Sequence, residues 1–426
     1  MTYLISIALL TLFTAFKIKT GLLQIRPFDG LVAVMLLWTL AYGTSFWRSR
    51  LSIGFVILLP YFFWHALSAL TYEFDNGLRE GLQISILLAF AYVVMIWADR
   101  IDYAKAGGVI LLGLVAITIF NIGWHIEHGY WTGWKRLNDP KAAFNFLPMA
   151  LTCLVVFAAP AERRFHYLML CVLAVVILLS GERKALIIFG VLMALLAGRG
   201  RVVAALPLLG AGILALSFYA SASGDAGYVA DHLQSLLDPT ADSSYLELAK
   251  GGAVQSLSNA QRSFALDLSS QLFWEQPFFG VGTNVYEDMV RQHYAYLPDY
   301  MLLGIHSEPL RVLTENGIVG LLLYGAVWLV ALMRLGKVIR HFLTQGLLNA
   351  VQARMLPFIL LLPPFFYVAT EAPGTHSFVC LVFVSMSPNF VYWAVLQRAR
   401  RFPGEVPAEA DFGQGAGAVA EPAGGR

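Results

Sequence analysis

Charge is what this chain has least of. Only 13% of its 426 residues are Asp, Glu, Lys or Arg, about half the share of an ordinary soluble domain. With 58% hydrophobic residues and a mean hydropathy of +0.66, the balance excludes a water-soluble globular protein and points to an integral membrane protein. Cysteine is nearly absent as well. Cys153, Cys171 and Cys380 each lie in an apolar run with no spaced partner, so neither a disulfide framework nor a zinc site is expected. No P-loop, paired-glycine nucleotide fingerprint or metal-binding histidine pair occurs. Nothing therefore calls for a nucleotide, a redox cofactor, a metal or a nucleic-acid partner. The net charge of +2 is too small to select a partner.

Long apolar runs are plentiful. Runs suited to crossing about 30 Å of hydrocarbon fall near 2–16, 28–46, 51–70, 81–98, 106–124, 146–160, 167–181, 185–198, 202–222, 309–333, 355–371 and 376–396. Backbone groups in lipid must satisfy one another, so these runs are expected to be helices. The expected fold is an all-α membrane protein of about 12 transmembrane helices. Its divisions are nine spans over 1–222, a loop over 223–308, three spans over 309–401 and a disordered cytoplasmic tail over 402–426. The first run is not followed by a small-residue cleavage site and reads as a retained span.

Basic turns set the orientation. Arg48 and Arg50, Arg163 and Arg164, Arg199 and Arg201, the Arg334–Arg354 connection and Arg398 to Arg401 all fall on one side of a twelve-span chain. That side is cytoplasmic by the positive-inside rule, with Lys17, Lys19 and Arg26 as a local exception. The 125–145 connection and the much longer 223–308 loop then face the periplasm. A loop this long is seldom structureless. Ser258 and Asn259 suit a helix start, Phe264, Leu268 and Leu272 recur on one helical face, and 283–296 suits a second helix. The loop reads as a helical lid.

The stretch from Pro277 to Gly325 carries the chain from this polar loop into an apolar run, with His306 at the crossing. A helix is expected from Pro309 onward, since Leu310, Leu313, Ile318, Leu321 and Leu322 share its period. An imidazole just outside such a helix start suits proton exchange at a membrane surface, although a lone histidine there also suits simple packing. Gly317, Gly320 and Gly325 suggest close approach to a neighbouring helix. Pro363 and Pro364 are expected to break the eleventh span.

Two further positions suit anion binding. Gly181-Glu182-Arg183-Lys184 joins two apolar runs with almost no loop. Either the basic pair snorkels beside Glu182, or it forms a cationic socket for phosphate, to which the guanidinium fork is suited. Arg262 falls early in the expected lid helix, where the helix N-terminus already favours anions. The 135–141 connection, with His125, His128 and His293, reads as interfacial or structural.

These residues resemble a known family. GVGTNVYEDMV followed by HSEPLRVLTENGIVGLLLY looks like the signature of the O-antigen ligase and polymerase superfamily. LLSGERKALIIFGVLMAL is similar to that family's serine–arginine–glycine turn, with Glu182 where serine is usual. RLNDPKAAFNFLPMAL resembles its asparagine–proline segment, and Ser307 stands where asparagine often follows the histidine. The resemblance implies an O-antigen ligase of the bacterial inner membrane with its active site facing the periplasm. Such an enzyme inverts an anomeric carbon without a metal. It moves a glycan from an undecaprenyl-pyrophosphate donor to a sugar hydroxyl of a lipid A–core acceptor. Arg183 and Arg262, with Lys184, would hold the pyrophosphate and His306 would be the catalytic base. The same resemblance admits an O-antigen polymerase or a protein O-oligosaccharyltransferase. A flippase of lipid-linked sugars, from another class, would be expected to show midplane charges and internal repeats, and neither is apparent.

Overall fold

The computed structural model describes residues 1–11, 18–20, 23–42, 52–72, 74–127, 140–157, 169, 173, 187–193, 257–294, 304–370 and 375–402. Apart from residues 169 and 173, the expected span 167–181 lies outside these residues, as do the expected span 202–222, the 223–256 part of the loop and the tail beyond 402. Helices run over α1 (Thr2–Thr11), α2 (Pro27–Tyr42), α3 (Ile53–Val56), α4 (Leu58–Tyr72), α5 (Phe74–Trp97), α6 (Tyr103–Glu127) and α7 (Pro140–Phe157). After the long connection come α8 (Leu257–Glu275), α9 (Val285–His293), α10 (Glu308–Thr344), α11 (Ala350–Thr370) and α12 (Thr375–Arg401). Among the described residues five stretches are long and apolar enough to cross a membrane: Ile53–Tyr72, Leu78–Trp97, Glu308–Thr344, Ala350–Ala369 and Ser377–Arg401.

The all-helical expectation holds for the described residues apart from one short hairpin. Ile18–Thr20 and Leu23–Ile25 pair as a short antiparallel hairpin, with Ile18 opposite Ile25. Lys17, Lys19 and Gln24 interrupt the apolar run there, and the β-branched Ile18, Thr20 and Ile25 favour an extended backbone. Two expectations are corrected. Helix α10 runs to Thr344, well past 333, so Arg334, Lys337 and Arg340 lie on a helix and the connection to α11 is only 345–349. Helix α11 is continuous through Pro357, Pro363 and Pro364. Each proline removes one donor, but its fixed φ is already helical, and in this bundle the loss is absorbed without a break.

The largest buried cluster joins α1, α2, α4, α5, α10 and α12 through residues such as Phe28, Met35, Tyr61, Phe62, Leu87, Val312, Tyr324 and Phe378. A second joins α10, α11 and α12 around Leu335, Phe342, Leu356 and Tyr392. Within lipid the tails are as apolar as leucine, so such contacts hold helices by close packing and polar bonds more than by exclusion of water. Helix α10 lies at the centre of this arrangement, against α4, α11 and α12. The C-terminal end of α4 and the N-terminal ends of α5, α10 and α12 meet at one end of the bundle. There residues 257–294 and 304–308 join it.

Candidate functional site

The site is built around a break in α10. Ser307, in extended conformation, precedes the helix, and Pro309 occupies its first turn, where a missing N–H costs nothing. At Gly317 the backbone turns to φ 66° and ψ −168°, a region that an L-residue adopts only under strain. In an unbroken helix the N–H groups of Ile318 and Val319 would bond to the carbonyls of Thr314 and Glu315. Instead they bond to Pro277 O at 2.9 Å and Phe278 O at 3.2 Å. The two carbonyls they leave accept from Val281 N at 3.1 Å and Gly282 N at 3.0 Å. Two helical bonds are thus exchanged for four bonds to residues 277–282, and no backbone group in the exchange is orphaned. Close contact requires glycine on both sides. Gly280 has φ 76° and lies against the Glu315 carbonyl, and a side chain at Gly317 would strike the Phe278 carbonyl.

Side chains fasten the same crossing. His65, on α4 and fully buried, has Nδ1 3.0 Å from Asn316 Oδ1. The Asn316 amide nitrogen donates to Thr283 Oγ1 at 3.0 Å, and Thr283 Oγ1 donates to the His65 carbonyl at 3.2 Å. The threonine hydroxyl spends its only proton on that carbonyl, so it must accept from an amide N–H. This fixes the amide's orientation and places the His65 proton on Nδ1. The other ring nitrogen faces Glu80 Oε2 at 3.6 Å, and Glu80 Oε1 accepts from Asn284 Nδ2 at 3.4 Å. Trp64 Nε1 donates to the Asn316 carbonyl at 3.1 Å, and Ser68 Oγ to the Glu315 carbonyl at 3.4 Å. One side of α4 therefore holds both halves of the crossing.

A second buried group lies on α10 itself. Arg311 Nη2 bonds to Glu308 Oε1 at 2.8 Å, and Nη1 stands 3.6 Å from Glu315 Oε2. The guanidinium lies 5.8 Å from the centre of the Phe378 ring on α12. Two carboxylates share one cation. Glu308 Oε2, Glu315 Oε2 and Arg311 Nε have no hydrogen-bond partner among the described residues. Such a cluster costs desolvation on every member and stands only because the charges face one another.

His306 sits half-buried in the bend two residues ahead of Glu308. Its neighbour Ile305 is buried with Phe264, Leu268 and Leu272 of α8 and Tyr286 and Val290 of α9. The two helices expected in the loop are present, and the expected apolar face of α8 is the one that packs. Burial pushes the Tyr286 hydroxyl pKa well up, with Tyr294, Glu287 and Glu315 adding to it, so it stays protonated. Arg262 is on the second turn of α8, two residues before Phe264, with its side chain exposed. The α8 cluster thus places the helix of Arg262 beside the bend of His306. Arg183 and Lys184 lie outside the described residues. Gly320 approaches the Trp64 ring, whereas Gly325 meets nothing within 4 Å, so only part of the expected glycine packing occurs.

Sequence reading missed His65, Glu80, Glu308, Arg311, Glu315 and Asn316. A signal was available on α10. Residues 308, 311 and 315 recur at i, i+3 and i+7, placing three charges on one helical face at the start of a membrane-crossing run. For His65, embedded in an apolar span, only its polarity stood out.

No curated protein matches the chain. A family model described as O-antigen ligase matches residues 167–325, a segment running from ahead of Arg183, through Arg262 and His306, to just beyond the break at Gly317. Over that segment, a little more than a third of the chain, the protein is similar to the O-antigen ligase family.

Proposed function

We propose that the protein is an O-antigen ligase. It transfers a glycan from undecaprenyl pyrophosphate to a sugar hydroxyl of lipid A–core at the periplasmic face of the inner membrane. One observation carries the reading. His306 occupies a bend whose two flanks, α10 and the α8–α9 pair, are locked together by the backbone exchange at Gly317 and the Ile305 cluster. A general base must be held where its substrate's proton will be, and this bend is held from both sides.

In this mechanism Arg183 and Arg262, with Lys184, bind the donor pyrophosphate. Their charge stabilises the leaving group as it departs. The acceptor hydroxyl oxygen attacks the anomeric carbon from the face opposite the pyrophosphate. The carbon–oxygen bond to pyrophosphate breaks, undecaprenyl pyrophosphate leaves, and the hydroxyl proton passes to His306. A single displacement inverts the carbon.

The test uses purified protein with lipid-linked donor and lipid A–core acceptor. His306→Ala is expected to lower transfer by about 10²–10⁴-fold while donor binding persists. Arg183→Ala and Arg262→Ala are expected to lose donor binding as well, and the Arg→Lys variants to recover little, because an ammonium lacks the fork geometry. Wild-type transfer by His306→Ala would remove it as the base. Gene deletion separates ligase from polymerase. A ligase loss leaves polymer on the lipid carrier and none on lipid A–core, whereas a polymerase loss leaves single repeats attached to lipid A–core.

A further inference from the structure

The backbone exchange also fixes a depth. From Gly317 to Met333 helix α10 carries no charged residue, and Arg334 closes the run. At about 1.5 Å per residue this stretch spans about 26 Å, close to the thickness of a bilayer's hydrocarbon. The charged residues Glu308, Arg311 and Glu315 all precede it. Because Ile318 and Val319 bond to Pro277 and Phe278, the non-helical segment 277–279 lies at the level where α10 becomes wholly apolar. The carbonyls of Pro277 and Phe278 are occupied by α10, as irregular backbone at such a depth requires.

The two phenylalanine side chains of this segment are exposed. Phe278 and Phe279 are 64% and 63% exposed, and Trp274, at the end of α8, is 74% exposed. The Phe279 ring lies 5.7 Å from the Trp64 ring on α4. Helices α4 and α10 also present apolar residues outward, Phe63 at 71% and Leu322 at 68% exposed, and the partly exposed Ile318 bonds to Pro277 through its backbone N–H. The polar exposed residues beside it, Glu275 and Gln276, suit the headgroup layer.

We propose that Trp274, Phe278 and Phe279 form an aromatic wedge seated in the bilayer at the boundary between headgroups and acyl chains. Its partner is the acyl-chain edge of the leaflet at this end of the bundle. Aromatic residues favour this boundary because a large apolar body and a nearby polar group are both accommodated there. The wedge anchors the α8–α9 unit to the membrane beside the break in α10. This inference rests on the level and exposure of the patch and is independent of the glycosyl-transfer reading.

The test is depth-resolved quenching in vesicles of phosphatidylethanolamine and phosphatidylglycerol without any lipid-linked glycan. In full-length protein with Cys153, Cys171 and Cys380 replaced by alanine, an environment-sensitive label is placed on Phe278→Cys. Gln292→Cys, exposed on α9, is the reference. The label at 278 is expected to be quenched several-fold more by shallow doxyl lipid than by aqueous iodide, and that at 292 in the reverse order. Iodide quenching at 278 equal to that at 292 would overturn the wedge, as would shielding from both quenchers, which would mean a protein partner or second copy covers the patch. Trp274→Phe in the chain with native cysteines gives a second reading. It is expected to remove intrinsic fluorescence that shallow brominated lipid quenches, and an unchanged quenched fraction would also overturn the proposal.

Discussion

The side-chain amide nitrogen of Asn316, at the break in α10, lies 3.0 Å from the hydroxyl of Thr283, 33 residues earlier in the chain. Both residues are buried, so neither has water as a substitute partner. Thr283→Val leaves the Asn316 amide short of an acceptor, and Asn316→Leu leaves His65 Nδ1–H without one. Each change is expected to cost about 1–3 kcal/mol. The double variant should cost less than the sum, because the two groups share one network. Thermal unfolding of the four proteins in one detergent gives the coupling, and strict additivity would dissolve the network.

The glycine positions should separate sharply. An alanine at Gly317 meets both a left-handed backbone, worth about 1–2 kcal/mol, and the Phe278 carbonyl. Gly280→Ala meets the Glu315 carbonyl in the same way. Both are expected to lower stability by well over about 2 kcal/mol. Gly325→Ala faces open space and should leave stability unchanged or raise it by up to about 1 kcal/mol through helix propensity. Equal effects at 317 and 325 would contradict the break.

Among the described residues, Arg311 is the sole cation paired with Glu308 and Glu315. Arg311→Met, which leaves two carboxylates enclosed together, is expected to cost about 3–5 kcal/mol. Adding Glu308→Gln and Glu315→Gln to Arg311→Met should restore part of that loss, since the uncompensated charges are then gone. If the triple variant is less stable than Arg311→Met, the cluster is held by something other than charge balance. Protein yield and unfolding temperature measure both.

At the opposite end, Asp102 between α5 and α6 accepts from Lys105 N at 3.1 Å and pairs with Arg401 at the end of α12. Partial burial pushes the carboxyl pKa up, but the Lys105 N–H and the Arg401 guanidinium outweigh it and hold the group below its usual value. A depressed folded pKa means stability that is present above the unfolded value of about 3.9 and is lost as pH falls through the folded value. Asp102→Asn is therefore expected to destabilise by less than about 1 kcal/mol at neutral pH, since the pair is open to solvent on the Arg401 side and water screens it. The difference from wild type should close at strongly acid pH. A constant difference across the titration would assign the loss to packing.

What was legible in the sequence was whatever repeats along one element. The period of Leu310, Leu313 and Ile318 gave α10, and that of Phe264, Leu268 and Leu272 gave the packed face of α8. What was illegible needed two distant stretches at once. Gly317 and Gly320 read as helix-packing glycines, because nothing in 308–325 alone says that residues 277–282 will supply its missing bonds. His65 and Glu80 gain their partners only when α4, α5 and the loop meet, more than 200 residues apart in the chain. Pro363 and Pro364 failed in the other direction: a local breaker rule was overridden by the surrounding helices.

The exchange at Gly317 bears on attempts to trim the protein. Excising the loop would not simply expose a ready-made bundle end. Thr314 O, Glu315 O, Ile318 N and Val319 N would lose all four outside partners together, and their nearest replacements are one another. Re-pairing restores an ordinary helical turn, which straightens α10 and rotates Glu315 and Asn316 out of register with Ser68, Trp64 and His65. A minimal transmembrane version of this chain must therefore retain 277–284 as a splint, even if every other loop residue is removed.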